Sequence, residues 1–291
     1  MTGRDGPELL ALARALGLPE PVQEGLASAA ARLPWEELPV ELLADPGEAC
    51  GAWERLLPRL APWQEDGGME QLAVQLAAAC RAWERYRQAG IPGKIFLDTM
   101  GCFPRFLRET HRRTGKWCYD RAFWSWRQSS GILFRLGTLE FECHRLDAGR
   151  LPPGASPSGR ILSVHIPSDA ELSRQRLDEA YRAAAQFFPG PGRLMCPGEA
   201  PGAVVCGSWL LAPALDGLLP EDSGIRRFAG DYERYFVNEG DQEFYEWVFG
   251  GYAPAENLPE HTSLQRKIKA RLRAGGKLGM ARGVLRTGLW D

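Results

Sequence analysis

The sequence has no excess of charge of either sign. Its 35 Lys and Arg are matched by 37 Asp and Glu, for a formal net charge of −2, which argues against nucleic-acid binding driven by bulk electrostatics. No apolar run reaches the length of a membrane span. The opening MTGRDGPELLALARAL lacks the continuous apolar core of a signal peptide, so a cytoplasmic location is expected. The cysteines (Cys50, Cys80, Cys102, Cys118, Cys143, Cys196 and Cys206) include no CxxC pair, which argues against a zinc knuckle or a redox motif. They read as free, mostly buried thiols. The four histidines show no HExxH spacing, and nothing calls for a metal. Internal repeats and low-complexity tracts are absent.

What is present is a globular composition, 44% hydrophobic, 25% charged and 10% aromatic. Ten tryptophans suggest aromatic-lined cores or a ligand cleft, and 291 residues suffice for two domains or one large one. The densest stretch runs from Asp120 to Glu142 (DRAFWSWRQSSGILFRLGTLEFE). There a helix-like start rich in Trp and Arg passes directly into a strand-like segment with alternating carboxylates.

Residues 7 to about 90 read as helices broken by prolines. Leu9, Leu10, Ala13 and Leu16 suit one amphipathic helix. Leu72, Leu76, Ala79, Trp83 and Tyr86 recur at spacings of four and three, which predicts a helix over 69–89, stopped by Gly90 and Pro92. Residues 94–115 read as helical with an interruption at Pro104. Asp120 is a candidate N-cap for the short helix holding Trp124 and Trp126.

The period then changes to that of a strand. Leu139, Phe141 and Cys143 share one face, and Glu140, Glu142 and His144 the other. A second alternating strand covers 161–166, with Ser163 and His165 on one face, and Pro167 ends it. Ser168 or Asp169 can cap a following helix over 170–188. The apolar run 203–211 predicts a strand buried on both faces. A helix over 223–236, a strand over 244–252 and a last helix begun by Thr262 or Ser263 and ended by Gly275–Gly276 complete the reading. Loops occupy 147–159 and 189–202. Strands alternating with helices predict a sheet covered by helices.

Five stretches carry a family resemblance: Asp98–Phe106 (DTMGCFPRF), Phe123–Arg135 (FWSWRQSSGILFR), Val164–Asp169 (VHIPSD), Cys206–Pro213 (CGSWLLAP) and Leu258–Arg266 (LPEHTSLQR). In these the chain resembles a bacterial family of acyltransferase-domain proteins with a helical N-terminal domain and a GNAT-like C-terminal domain. The resemblance implies an α/β (α+β) chain with a helical region over 1–125. That region is expected to pack on a mixed, mostly antiparallel sheet with helices over 126–291. It implies transfer of an acyl group from acetyl-CoA or another acyl-CoA, without a metal, to an amine or hydroxyl of a small-molecule acceptor, with no nucleic-acid or membrane partner. GNAT enzymes hold the pyrophosphate of CoA on a glycine-rich turn that opens a helix. The equivalent segment here, 165–172 (HIPSDAEL), has no glycine, and it places Asp169 and Glu171 where phosphates would sit. A non-catalytic binding or sensor protein that keeps the fold is therefore the alternative.

Each candidate residue has two readings. His165 is the first choice for a general base, or it is a histidine hydrogen-bonded at a strand end. Glu142 and Glu140 can serve as a second base or receive a cationic acceptor, or they form a solvated strand face. Ser168 and Asp169 orient substrate or cap the helix. Cys206 is a nucleophile if a nearby base lowers its pKa, or with Ser208 it lines the acyl-carrier cleft, or both belong to a packed core. Lys267, in a stretch rich in Lys, Arg and Gly, holds CoA phosphates or lies on a solvated helix face. Arg127 and Arg135 bind an anion, or form ion pairs with Glu140, Glu142 or Asp98.

Overall fold

The computed structural model describes residues 5–155, 159–196 and 198–289. In chain order it begins with helices α1 (Asp5–Ala15), α2 (Glu20–Arg32), α3 (Val40–Ala44), α4 (Ala49–Leu56), α5 (Trp63–Asp66), α6 (Met69–Gln88), α7 (Gly93–Met100), α8 (Cys102–Thr114) and α9 (Ala122–Ser130). Strands β1 (Leu133–Leu136), β2 (Leu139–Arg145) and β3 (Arg160–His165) follow, then α10 (Arg174–Phe187) and α11 (Gly192–Met195). The chain closes with β4 (Val204–Ser208), α12 (Gly224–Gly230), β5 (Tyr232–Asn238), α13 (Ser263–Arg273) and β6 (Met280–Leu285). Two compact units result, one of Met1–Leu136 with Phe187–Gly198, the other of Gly137–Gln186 with Glu199–Asp291.

In the first unit α6 is the central element. Met69 and every residue from Gln71 to Ala79 are buried, and α1, α2, α3 and α9 pack around it. A helix apolar nearly all round belongs inside a bundle, and its alanines let neighbours approach closely. Its two buried glutamines are satisfied: Gln71 Nε2 donates to the Ala61 carbonyl (2.9 Å). Gln75 Nε2 donates to the Ala122 carbonyl (2.7 Å), and Gln75 Oε1 accepts from the Tyr119 hydroxyl (2.8 Å) and from Ser125. Tyr86, Phe96, Phe134 and Phe187 form an adjoining aromatic cluster, with ring centroids 4.7–5.6 Å apart along the chain of contacts.

Two local expectations are corrected here. The break between α7 and α8 falls at Gly101, not at Pro104. Pro104 sits in the first turn of α8, where its missing N–H leaves no helical bond unmade. Asp120 does not cap α9. The N-cap is Arg121, without a side-chain bond, while Asp120 accepts from Thr110 Oγ1 (2.9 Å) and pairs with Arg113.

In the second unit the strands lie in the order β2-β3-β4-β6-β5. Pairing is antiparallel except between β3 and β4, so the sheet is mixed and mostly antiparallel. The parallel step is made by α10, as such crossovers require. The apolar stripe of α10, Leu177, Ala180 and Ala184, is buried. Its Tyr181 hydroxyl meets that of Tyr232 at 3.3 Å, which places α10 on the sheet face that carries Tyr232, Gly283 and Cys206.

The end of this unit differs from the sequence reading. The helix expected over 223–236 stops at Gly230, and β5 begins at Tyr232. The YERYFVN segment is aromatic and β-branched, and its pairing with β6 overrides local helix propensity. Residues 244–252 form a helical turn, Tyr245–Phe249, ended by Gly250 at φ +81°. Its aromatic residues are drawn to the small cluster of Phe244, Leu215 and Ile268. Strand β6 was not anticipated. The final helix α13 starts as expected, with a Thr262–Gln265 capping box. The loops at 147–159 and 189–202 are present, the latter interrupted by α11; residues 156–158 and 197 lie outside the described residues.

Candidate active site

The site is set by the register of β2 against β3. Glu140 faces His165, and Glu142 faces Ser163. Direct partners in an antiparallel pair point to the same side, so Glu140, Glu142, His144, Ser163 and His165 share one sheet face. On it His165 Nε2 lies 2.8 Å from Glu142 Oε2, one step diagonally across the pair. The Glu142 side chain is 7% exposed and that of His165 26%. Withdrawing a carboxylate from water is costly, and a charge-assisted bond to an imidazole offsets that cost. In the neutral ring the Nε2 hydrogen goes to the carboxylate, so the basic lone pair is on Nδ1. That is the electronic arrangement of an oriented general base. Glu140, 2% exposed, adds a second carboxylate to the same face.

His165 also stands where the sheet opens. β3 and β4 pair over Leu162↔Val204 and Ser163↔Val205, then run on to His165 and Ser208 as strands. Leu162 N–H bonds the Ala203 carbonyl at 2.9 Å. Alternation along parallel strands therefore aims the Val164 carbonyl and the Gly207 amide into the widening gap. Gly207 is exposed although it lies within a strand. A Cβ added there would meet only Arg282 Cγ and Met280 Cε, at 3.5 and 3.6 Å. The result is a stretch of bare backbone with a free edge, next to a histidine and two carboxylates.

The segment after β3 differs from its expected form. Ser168 and Asp169 do not cap α10. They form an exposed turn closed by the Ala170 N–H to Pro167 carbonyl bond (2.9 Å), and α10 begins only at Arg174. The intervening residues are held by Thr138, whose Oγ1 accepts from Glu171 N–H at 2.6 Å. Arg174 is committed to Asp231 (2.6 Å) and Asp178 (2.7 Å).

Cys206 and Ser208 share a face, but it is the one opposite His165, because Ser163 is aligned with Val205. Burial pushes the Cys206 thiol far above its ordinary range, and Glu243 adds to the shift, so the thiolate needed for nucleophilic attack is not formed. Ser208 Oγ accepts from Leu210 N–H at 3.1 Å and starts the turn Trp209–Leu211. Lys267 Nζ donates to the Leu218 carbonyl (2.8 Å), Lys269 Nζ to the Leu258 carbonyl (2.7 Å), and Arg271 Nε to the Lys277 carbonyl (2.6 Å). Much of this basic stretch thus holds its own unit together. Arg127 stacks on Trp124 and Trp126, with its guanidinium carbon 4.1 and 4.6 Å from the ring centroids.

The structure thus gathers His165, Glu142 and Glu140 at one place and leaves Cys206, Ser208 and Lys267 elsewhere. Sequence reasoning missed Ser163, His144 and Gly207. Alternation already put Ser163 on the face of His165, and only the register of two strands 15 residues apart was lacking. Among the described residues no group of three or more His, Cys, Asp and Glu is placed to hold a metal ion, and no helix is long and apolar enough to cross a membrane.

Residues 7–131 match the family model of the N-acyltransferase N-terminal domain, and residues 133–285 that of the GNAT-like C-terminal domain. No curated relative matches. Among solved structures, an acyltransferase in complex with decanoyl-CoA and teicoplanin is 24% identical, with a TM-score of 0.73, covering 94% of this chain and 86% of that one. An acyltransferase mutant in complex with octanoyl-CoA gives 24% and 0.74, covering 96% and 87%. An acyltransferase in complex with CoA and 10C-teicoplanin gives 22% and 0.67, covering 96% and 99%. At these identities the likeness is one of fold. The two family models together span nearly the whole sequence, and the chain belongs to the family that joins an N-acyltransferase N-terminal domain to a GNAT-like C-terminal domain.

Proposed function

We propose that this protein is an N-acyltransferase that moves an acyl group from acyl-CoA to an amine, or a hydroxyl, of a small-molecule acceptor, with residues 126–291 carrying the chemistry in the cytoplasm. The observation that carries the reading is the His165–Glu142 pair beside the point where β3 and β4 cease to pair. The thioester carrier enters that gap and uses the free backbone edge of Val164 and Gly207 in place of a missing strand partner. His165 Nδ1 accepts the proton of the acceptor as its nitrogen attacks the thioester carbon. Glu142 holds the ring in the required tautomer and stabilises the imidazolium. The Gly207 amide supplies a hydrogen bond to the oxyanion that forms. The C–S bond then breaks, and the CoA thiolate takes up a proton. Glu140 is the candidate for receiving a cationic acceptor. Ser168 and Asp169, exposed beside the end of β3, are candidates for contacts at the mouth of the gap. The relative held with teicoplanin makes a glycopeptide a rational first acceptor to try.

The glycine-free turn at 165–172 favours a second reading, a binding protein that keeps the fold without transfer. Calorimetry with acetyl-, octanoyl- and decanoyl-CoA, alongside a thiol-release assay on a panel of amines, separates the two. Binding with transfer that is lost in His165→Ala supports the enzyme. Binding without transfer to any acceptor supports the binding protein.

A further inference from the structure

Behind the His165–Glu142 pair, the same face of β2 and β3 carries a second polar rung. His144 Nε2 lies 2.8 Å from Ser163 Oγ, and His144 Nδ1 lies 3.1 Å from the Arg145 carbonyl. A carbonyl can only accept, so Nδ1 carries a hydrogen. In the neutral ring Nε2 must then accept from the Ser163 hydroxyl. When His144 is protonated, Nε2 becomes a donor, and Ser163 Oγ must accept. The Ser163 hydrogen is then released to point elsewhere. Its direct register partner on that face is Glu142, and Cβ atoms of such partners stand about 4.5–5.5 Å apart, close enough for a hydroxyl to reach a carboxylate.

We propose that Ser163 is a positioning residue for the base, and that His144 decides which way its hydroxyl points. This rests on the reading of His165 as that base. With His144 neutral, the Ser163 hydrogen is held away from Glu142, whose charge, not shared with Ser163, supports the imidazolium of His165. With His144 protonated, Ser163 donates to Glu142, shares its charge and makes His165 a weaker base. Glu140 also faces His165 from β2. Arg145 and Arg160, register partners at the other end of the pair, lie on the opposite face. β4, on the other side of β3, contributes no charged residue.

The test is the NMR titration of the His165 ring in the wild type, Ser163→Ala and Ser163→Thr, followed by the pH dependence of kcat/KM for the same three proteins. Through-space repulsion between the two histidines survives in Ser163→Ala, whereas the hydroxyl coupling does not. The expected result, on the acid side where His144 is protonated, is an upward shift of the His165 titration in Ser163→Ala of about half a unit, the size of one net hydrogen bond. The acid limb of kcat/KM should move the same way, and Ser163→Thr should restore both. An unchanged His165 titration in Ser163→Ala, or failure of Thr to restore it, overturns the proposal. The shift appearing in a protein that transfers no acyl group refutes the acyltransferase reading and leaves the coupling established.

Discussion

Glu140 is the register partner of His165, yet the His165 ring bonds the next carboxylate along, Glu142, at 2.8 Å. The diagonal choice matters. It leaves two carboxylates on one face with different partners, one bound to an imidazole and one set directly across from it. Two like groups in unlike settings are what acid–base chemistry needs.

The first expectation follows from that difference. Glu142→Gln keeps the shape and removes the charge that fixes the tautomer. kcat/KM for acyl transfer should fall about 10–100-fold, as for other residues that orient a histidine. KM for acyl-CoA should change little, because the loss is in the transition state. Glu140→Gln should instead raise KM for a cationic acceptor. Steady-state kinetics with a charged and a neutral acceptor distinguishes the two.

Gly207 offers a test of the gap that leaves the fold alone. Gly207→Val puts a side chain on the face of His165, where only Arg282 Cγ and Met280 Cε lie within 4 Å of an added Cβ. The variant should melt close to the wild type and lose most of its affinity for acyl-CoA in calorimetry. Retained affinity would place the carrier elsewhere.

Cys206 should be inert. Burial raises its thiol, so iodoacetamide at pH 8 should leave Cys206 unlabelled in the folded protein while labelling exposed Cys50. Cys206→Ala should keep transfer activity and lose about 1–2 kcal/mol of stability through the small cavity left behind. Loss of transfer in a folded Cys206→Ala protein would contradict the assignment.

Alkaline stability follows from the buried phenols. Burial pushes Tyr86, Tyr119, Tyr181 and Tyr232 above the ordinary tyrosine value of 10. The folded state thus holds these protons more tightly than the unfolded chain. Stability is fully present below pH 10 and is lost as pH rises past it, since only the unfolded chain gains by ionising. Urea midpoints between pH 8 and 11 should decline steeply above 10. Phenolate absorbance of these four should appear together with unfolding rather than before it.

The buried bonds of α6 give a stability prediction for the first unit. Gln75→Ala leaves the Ala122 carbonyl and the hydroxyls of Tyr119 and Ser125 without their shared partner. The cost should be about 2–4 kcal/mol, visible as a lower Tm.

Much of this was legible in the sequence, and the limits have physical causes. The stripe of Leu72, Leu76, Ala79 and Tyr86 announced α6 because apolar spacing is a local property. The alternation of Glu140, Glu142 and His144, and of Ser163 and His165, announced two faces. It could not say that they are the same face, because register is decided by the whole pairing. Cys206 and Ser208 were placed on a shared face correctly, but only the alignment of Ser163 with Val205 shows that it looks away from His165. The segment from Tyr232 to Phe236 reads as helix in isolation because its strand identity comes from β6, some 45 residues later in the chain. The glycine-free turn at 165–172 remains the sharpest departure from the family pattern, and the bare edge at Gly207 is the feature that answers it.

The most direct test is a single-turnover measurement. Excess protein is mixed with octanoyl-CoA and an amine acceptor, and product is followed in the wild type and in His165→Ala. Acylated acceptor and free CoA should appear in equal amounts. The rate should be about 10²–10⁴-fold lower in His165→Ala, the usual contribution of a positioned base, with octanoyl-CoA affinity retained. Equal rates in the two proteins, or tight binding with no transfer to any amine, would contradict transfer through His165.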